Sequence, residues 1–115
     1  LVGTNPAGLE FGAATETLNL LLANVSSVAQ NVTAELIPNN ALSLATVKSD
    51  PENLATRYVD LNNGDTLVSL EPETTRRCRI HLRRERMTAA PEQTAALKLT
   101  TTAGTVIWVP VRGER

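Results

Sequence analysis

From Thr75 to Arg83 the side chains sort by parity. Cys78, Ile80 and Leu82 fall on one side, and Arg77, Arg79, His81 and Arg83 on the other. An extended backbone separates them in this way, whereas a helix would spread the four basic groups around its circumference. The same period of two runs through Glu16–Asn24, where Leu18, Leu20 and Leu22 share a face. It returns in Asn31–Ile37 with Val32, Ala34 and Leu36, and in Ala95–Thr101 with Leu97 and Leu99. Thr105–Val111 is apolar on both sides and rich in β-branched residues, which predicts a strand covered on both faces.

Turn-forming residues punctuate these runs: Asn39-Asn40, Ser49-Asp50-Pro51, Asn62-Asn63-Gly64-Asp65, Glu71-Pro72-Glu73 and Ala103-Gly104. Asn63-Gly64 predicts a hairpin between Arg57–Leu61 and Thr66–Leu70, and Ala103-Gly104 predicts one between the last two strands. Short helical turns are expected only at Pro51–Ala55 and Arg84–Ala89. Seven to nine short strands without intervening helices predict an all-β, antiparallel, immunoglobulin-like sandwich. With 115 residues it forms a single domain over 1–115, large enough to bury one core without staples. The start at Leu1 rather than Met reads as a segment excised from a larger or processed polypeptide. No signal-peptide pattern and no apolar run of membrane-spanning length is visible.

The order of these signals resembles a known family. Leu9-Glu10-Phe11-Gly12 opens the chain, a strand ends in Asn24-Val25-Ser26, Leu70-Glu71-Pro72-Glu73-Thr74 precedes the long basic strand, and Val109-Pro110-Val111-Arg112-Gly113 closes it. This pattern resembles the immunoglobulin-like modules of the ASH and PapD/MSP-like type and their bacterial relatives in envelope and secreted proteins. Glu73 stands where those modules usually carry Gly. Within the pattern Phe11 supplies a large core anchor, Gly12 permits a sharp turn, and Pro110, lacking an N–H, marks an edge or a bulge. The resemblance implies a structural or protein-interaction module, favours an extracellular or envelope setting over the cytoplasm, and carries over no catalytic residue.

The net charge of −1 conceals a split. Residues 1–75 hold nine acids against Lys48 and Arg57, and residues 76–115 hold nine bases against three acids. Arg77, Arg79, His81 and Arg83, flanked by Arg76, Arg84 and Arg86, are candidates for an anion- or glycan-binding face. The competing reading pairs these arginines across strands with Glu35, Asp60 or Glu10. Nucleic acid is disfavoured, because Phe11, Tyr58 and Trp108 are the whole aromatic set and offer little for bases to stack on.

The single Cys and single His leave little to build catalysis from, so no enzyme activity, metal or cofactor is expected. Cys78 and His81 lie three residues apart on one strand and point to opposite faces, which precludes a dyad. Trp108 is expected to fill the core or an interface. A protein partner or a neighbouring domain is the expected ligand. Val106, Ile107 and Trp108 are the candidate edge for strand addition. Two sequons, at Asn24 and Asn31, complete the inventory.

Overall fold

The computed structural model describes residues 2–37, 43–49, 56–61, 64–87 and 92–115. Within them ten strands run in the order β1 (Val2–Asn5), β2 (Leu9–Phe11), β3 (Thr17–Asn24), β4 (Gln30–Ile37), β5 (Leu44–Ser49), β6 (Thr56–Asp60), β7 (Asp65–Leu70), β8 (Thr75–Leu82), β9 (Glu92–Thr101) and β10 (Val106–Glu114). They form two five-stranded sheets, β1-β3-β8-β5-β6 and β2-β10-β9-β4-β7. The predicted all-β sandwich is what the chain adopts.

The alternation explains the layering. Leu20 and Leu22 of β3 and Cys78, Ile80 and Leu82 of β8 point inward from the first sheet. Val32, Ala34 and Leu36 of β4, Leu97 and Leu99 of β9, and Val109 and Val111 of β10 point inward from the second. Leu9 and Phe11 complete the same core, each almost fully buried. Each fully buried leucine or phenylalanine contributes about 1.5–3 kcal/mol of transfer free energy. In β7 the pairing with β4 slips between Val32 and Thr33, so that Leu67 is an extra residue that turns into the core.

The N-terminal segment serves both sheets. β1 pairs antiparallel with β3, and after Pro6–Gly8 the chain crosses to the second sheet, where β2 runs parallel to β10.

Three expectations are corrected. The Asn63-Gly64 hairpin does not form: β6 pairs with β5 in the first sheet and β7 with β4 in the second, so the connection crosses between sheets. The buried Leu61 and Leu67 on either side of it are what the crossing satisfies, since both must face one core from opposite layers. Gly64 keeps its turn role at φ +78°, and Asn62 and Asn63 lie outside the described residues. Second, β10 is covered on one face only. A two-layer sandwich leaves each sheet one outer face, and Val106, Trp108 and Pro110 lie on it. Trp108 is 52% exposed and is no core filler. Third, Gly12 has no positive φ, and a Cβ there would meet only ordinary contacts, so no turn requirement selects glycine at that position.

The Ala103-Gly104 hairpin forms as expected, with Gly104 at φ +89° and the Thr101 N–H donating to the Thr105 carbonyl at 2.9 Å. Of the expected helical turns, a 3₁₀ turn occupies Arg84–Arg86, and Pro51–Ala55 lies outside the described residues.

Glu73 is the one non-glycine residue at positive φ among those described, at +57°. It occupies the position where the resembling modules carry Gly, and an L side chain there costs roughly 1–2 kcal/mol. Glycine has its own entropic cost of about 0.5–1 kcal/mol. Glu73→Gly is therefore expected to stabilise the domain by about 0.5–1 kcal/mol. A rightward shift of the urea midpoint at unchanged slope checks this.

Candidate functional site

The basic stretch divides three ways. Arg77 and Arg79 are exposed on the outer face of β8, at the centre of the first sheet. Across the ladder they stand opposite Leu21 and Asn19 of β3. Neither guanidinium has an ion-pair or hydrogen-bond partner among the described residues, although the Arg79 carbonyl accepts from the Thr46 hydroxyl at 3.2 Å. His81 follows on the same face opposite Thr17, and the Thr17 hydroxyl and His81 Nδ1 share a hydrogen bond of 3.2 Å.

Arg83 leaves the stripe. The strand ends at Leu82, the Arg83 N–H donates to the Ser43 carbonyl, and Arg83 Nε lies 3.1 Å from Asp60 Oδ1. That approach is off the N–H axis, so the contact is an ion pair without a hydrogen bond. Arg86 Nη1 reaches the same oxygen at 3.4 Å. The pairing expected with Asp60 is thus made by Arg83 and Arg86, not by Arg77 or Arg79. Glu35 and Glu10 belong to the second sheet, where Glu35 stands opposite Lys98 and Glu10 lies 4.0 Å from Arg112. They cannot neutralise β8.

Arg84 turns inward. Its Nη2 donates to the carbonyls of Gly12 at 2.6 Å and Thr15 at 2.7 Å, and its Nε donates to the carbonyl of Glu114 at 2.8 Å. One side chain therefore ties the 3₁₀ turn to the loop after β2 and to the end of β10. Nothing in the sequence distinguishes this arginine from its neighbours.

Cys78 is buried and His81 lies on the opposite face of β8, so the two stay apart as the spacing requires. Among the described residues no three His, Cys, Asp or Glu side chains gather into a metal site. Among the described residues no helix is long and apolar enough to cross a membrane.

The sequons differ. Asn24 is buried, with its amide nitrogen within 3.4 Å of three backbone carbonyls, those of Val28, Leu70 and Glu71, so a glycan has no access to it. Asn31 is exposed on β4.

The second surface is the outer edge of β10. β9 pairs with β10 along its whole length, but β2 covers only Val111–Gly113. A Cβ on Gly8 would come within 3.3 Å of the Pro110 carbonyl oxygen, so that carbonyl faces the β2 side. The N–H and C=O of one strand residue share an edge, and successive residues alternate. The backbone groups of Val106 and Trp108 therefore face the same edge, above the point where β2 begins. No described strand pairs with them there. Proline at 110 fits this boundary, since its missing donor faces the uncovered side.

The side chains beside this edge are apolar. Val106 is 43% exposed, and Lys98 Nζ sits 5.8 Å from the centroid of the Trp108 ring. Next to Pro110 a groove of about 220 Å³ opens between Gly8, Glu10, Thr94 and Arg112. Of the three residues predicted for the edge, Val106 and Trp108 present to the outside, while Ile107 packs partly against the core.

No protein-family model matches the sequence. No curated protein matches it. Solved structures do. A chain of the CsuC–CsuE chaperone–tip adhesion subunit pre-assembly complex of Acinetobacter baumannii aligns over 99% of this chain and 51% of its own, with a TM-score of 0.61 at 11% identity. The fold is the PapD-like immunoglobulin-type sandwich. A FixG-related protein from Vibrio parahaemolyticus aligns over 100% of this chain and 93% of its own, with a TM-score of 0.54 at 16% identity. The ASH/PapD-like domain 7 of human CEP192 aligns over 98% and 83%, with a TM-score of 0.54 at 12% identity. The chain spans about half the length of the pilus-chaperone structures it matches. The resemblance read from the L-x-F-G opening, the strand-terminal Asn and the V-P-V close thus holds for the fold.

Proposed function

We propose that this PapD-like domain is a non-catalytic protein-interaction module of a larger polypeptide and binds its partner by strand addition to the outer edge of β10. The observation that carries this reading is the half-covered edge. β2 begins only at Leu9, and among the described residues no strand pairs with the N–H and C=O groups of Val106 and Trp108, beside two exposed apolar side chains. Unpaired strand edges are templates for another chain, and apolar side chains alternating along them supply selectivity. The likeness to a chain of a chaperone–adhesion subunit complex supports a protein partner. The likeness to the periplasmic chaperone SfaE supports an envelope or secreted setting.

Hydrogen exchange tests the edge directly. In the isolated domain the Val106 and Trp108 amides should exchange rapidly and those of Ile107 and Val109 slowly, and a bound partner should protect the first pair. Val106→Pro removes an outward donor without touching the β9 ladder. Its melting temperature should stay within about 4 °C of wild type, a change of roughly 1 kcal/mol or less. Partner affinity should fall at least tenfold. Unchanged affinity in Val106→Pro and in Trp108→Asp would reject the edge.

A further inference from the structure

We infer that the outer face of the first sheet, centred on Arg77 and Arg79, is a second docking surface, and that it takes an extended acidic protein segment with carboxylates on alternate residues. Both arginines are exposed at the centre of the sheet, and no described carboxylate neutralises either one. Of the described acids on or beside this sheet, Asp60 is taken up by Arg83 and Arg86, and Glu16 lies 3.8 Å from Arg84. Glu10 and Glu35 lie on the other sheet. On the β3 side the cross-strand neighbours Leu21, Asn19 and Thr17 carry no charge. Two like charges two residues apart on one strand face repel, and an anionic partner relieves that repulsion.

The spacing selects the partner. Residues i and i+2 of a strand are about 6.4–6.8 Å apart. A second extended chain lying along β8 repeats that spacing, so its alternate carboxylates meet Arg77 and Arg79 one to one, each in the planar fork geometry that guanidinium favours. Asn19 opposite Arg79 adds an amide for hydrogen bonding, and the partly exposed Leu21 opposite Arg77 adds an apolar contact. Neither β3 nor β8 carries Phe, Tyr or Trp, so these central strands offer no platform for stacking sugars or bases. This surface lies on the sheet opposite the β10 edge and stands independently of it.

The test uses fluorescence anisotropy at 50 mM NaCl with three labelled probes. They are an octapeptide of alternating Glu and Thr, its isomer with four Glu followed by four Thr, and a heparin hexasaccharide. The alternating peptide should bind at least fivefold more tightly than the block isomer, and 500 mM NaCl should release it. R77S/R79S should weaken it at least tenfold with an unchanged melting temperature, whereas R112S, on the other sheet, should leave it unaltered. Val106→Pro should also leave it unaltered, which separates this surface from the β10 edge. Absence of peptide binding, equal binding of the two isomers, full binding by R77S/R79S, or preference for the heparin hexasaccharide would each overturn the proposal.

Discussion

Arg84→Ala should melt roughly 12 °C below the wild type, the shift that a loss of about 3 kcal/mol produces in a domain of this size. The Arg84 side chain is 20% exposed, and its guanidinium satisfies three backbone carbonyls from two separate segments. Hydrogen bonds to a charged donor contribute about 1.5–3 kcal/mol each, and removal leaves all three carbonyls to find other partners in a partly buried site. The ion pair with Glu16 adds little, because its 3.8 Å separation and the exposed carboxylate place it among weak surface pairs. Arg84→Lys separates charge from geometry. An ammonium keeps the charge but cannot present the fork that spans Gly12, Thr15 and Glu114, so it should recover less than half of the loss. Differential scanning calorimetry of the three proteins measures both effects.

Asn24 should be the second most sensitive polar position. Its side-chain oxygen accepts from the Ser26 N–H at 3.0 Å and from the Ser26 hydroxyl at 2.7 Å. Its nitrogen donates to the Val28 carbonyl at 2.9 Å and shares its other hydrogen between those of Glu71 at 3.2 Å and Leu70 at 3.4 Å. One buried amide thus closes the loop after β3 and pins it to the turn before β8. Asn24→Ala should cost about 2–3 kcal/mol, the penalty of leaving such groups unsatisfied. Asn24→Asp is nearly isosteric and should be worse at neutral pH. It keeps the acceptor that Ser26 needs but sets a carboxylate oxygen against three carbonyl oxygens. Urea denaturation of both variants gives the order, and an aspartate variant more stable than the alanine one would contradict this account.

The layers were legible because their causes are local. Alternation in β3, β4, β8 and β9 needs one wet face and one dry face, and Leu20, Val32, Ile80 and Leu97 report it directly. β5 carries no period of two in the sequence, because Leu44, Ala45 and Thr46, like Ser43 just before them, are all buried. The Asn63-Gly64 signal marked a turn correctly but not which sheet each strand joins, since turn chemistry is blind to layer. In the basic stretch the faces of Arg77, Arg79 and His81 followed from parity. The fates of Arg83 and Arg84 depended on where β8 stops and on loops distant in sequence. The partial exposure of β10 hinged on a parallel pairing with a three-residue strand a hundred positions away. Pro110 was the one local sign of it.

The crossing of the N-terminal chain at Pro6–Gly8 acts as a ruler. Each residue that β2 gained at its start would remove one from the open stretch of β10, so the length of that crossing sets how long a guest strand can be. A strand added there runs into Gly8 as a fixed stop, and Pro110 offers it no donor at the join. For a strand added by the proposed pairing, Gly8 and Pro110 thus fix one end of the berth.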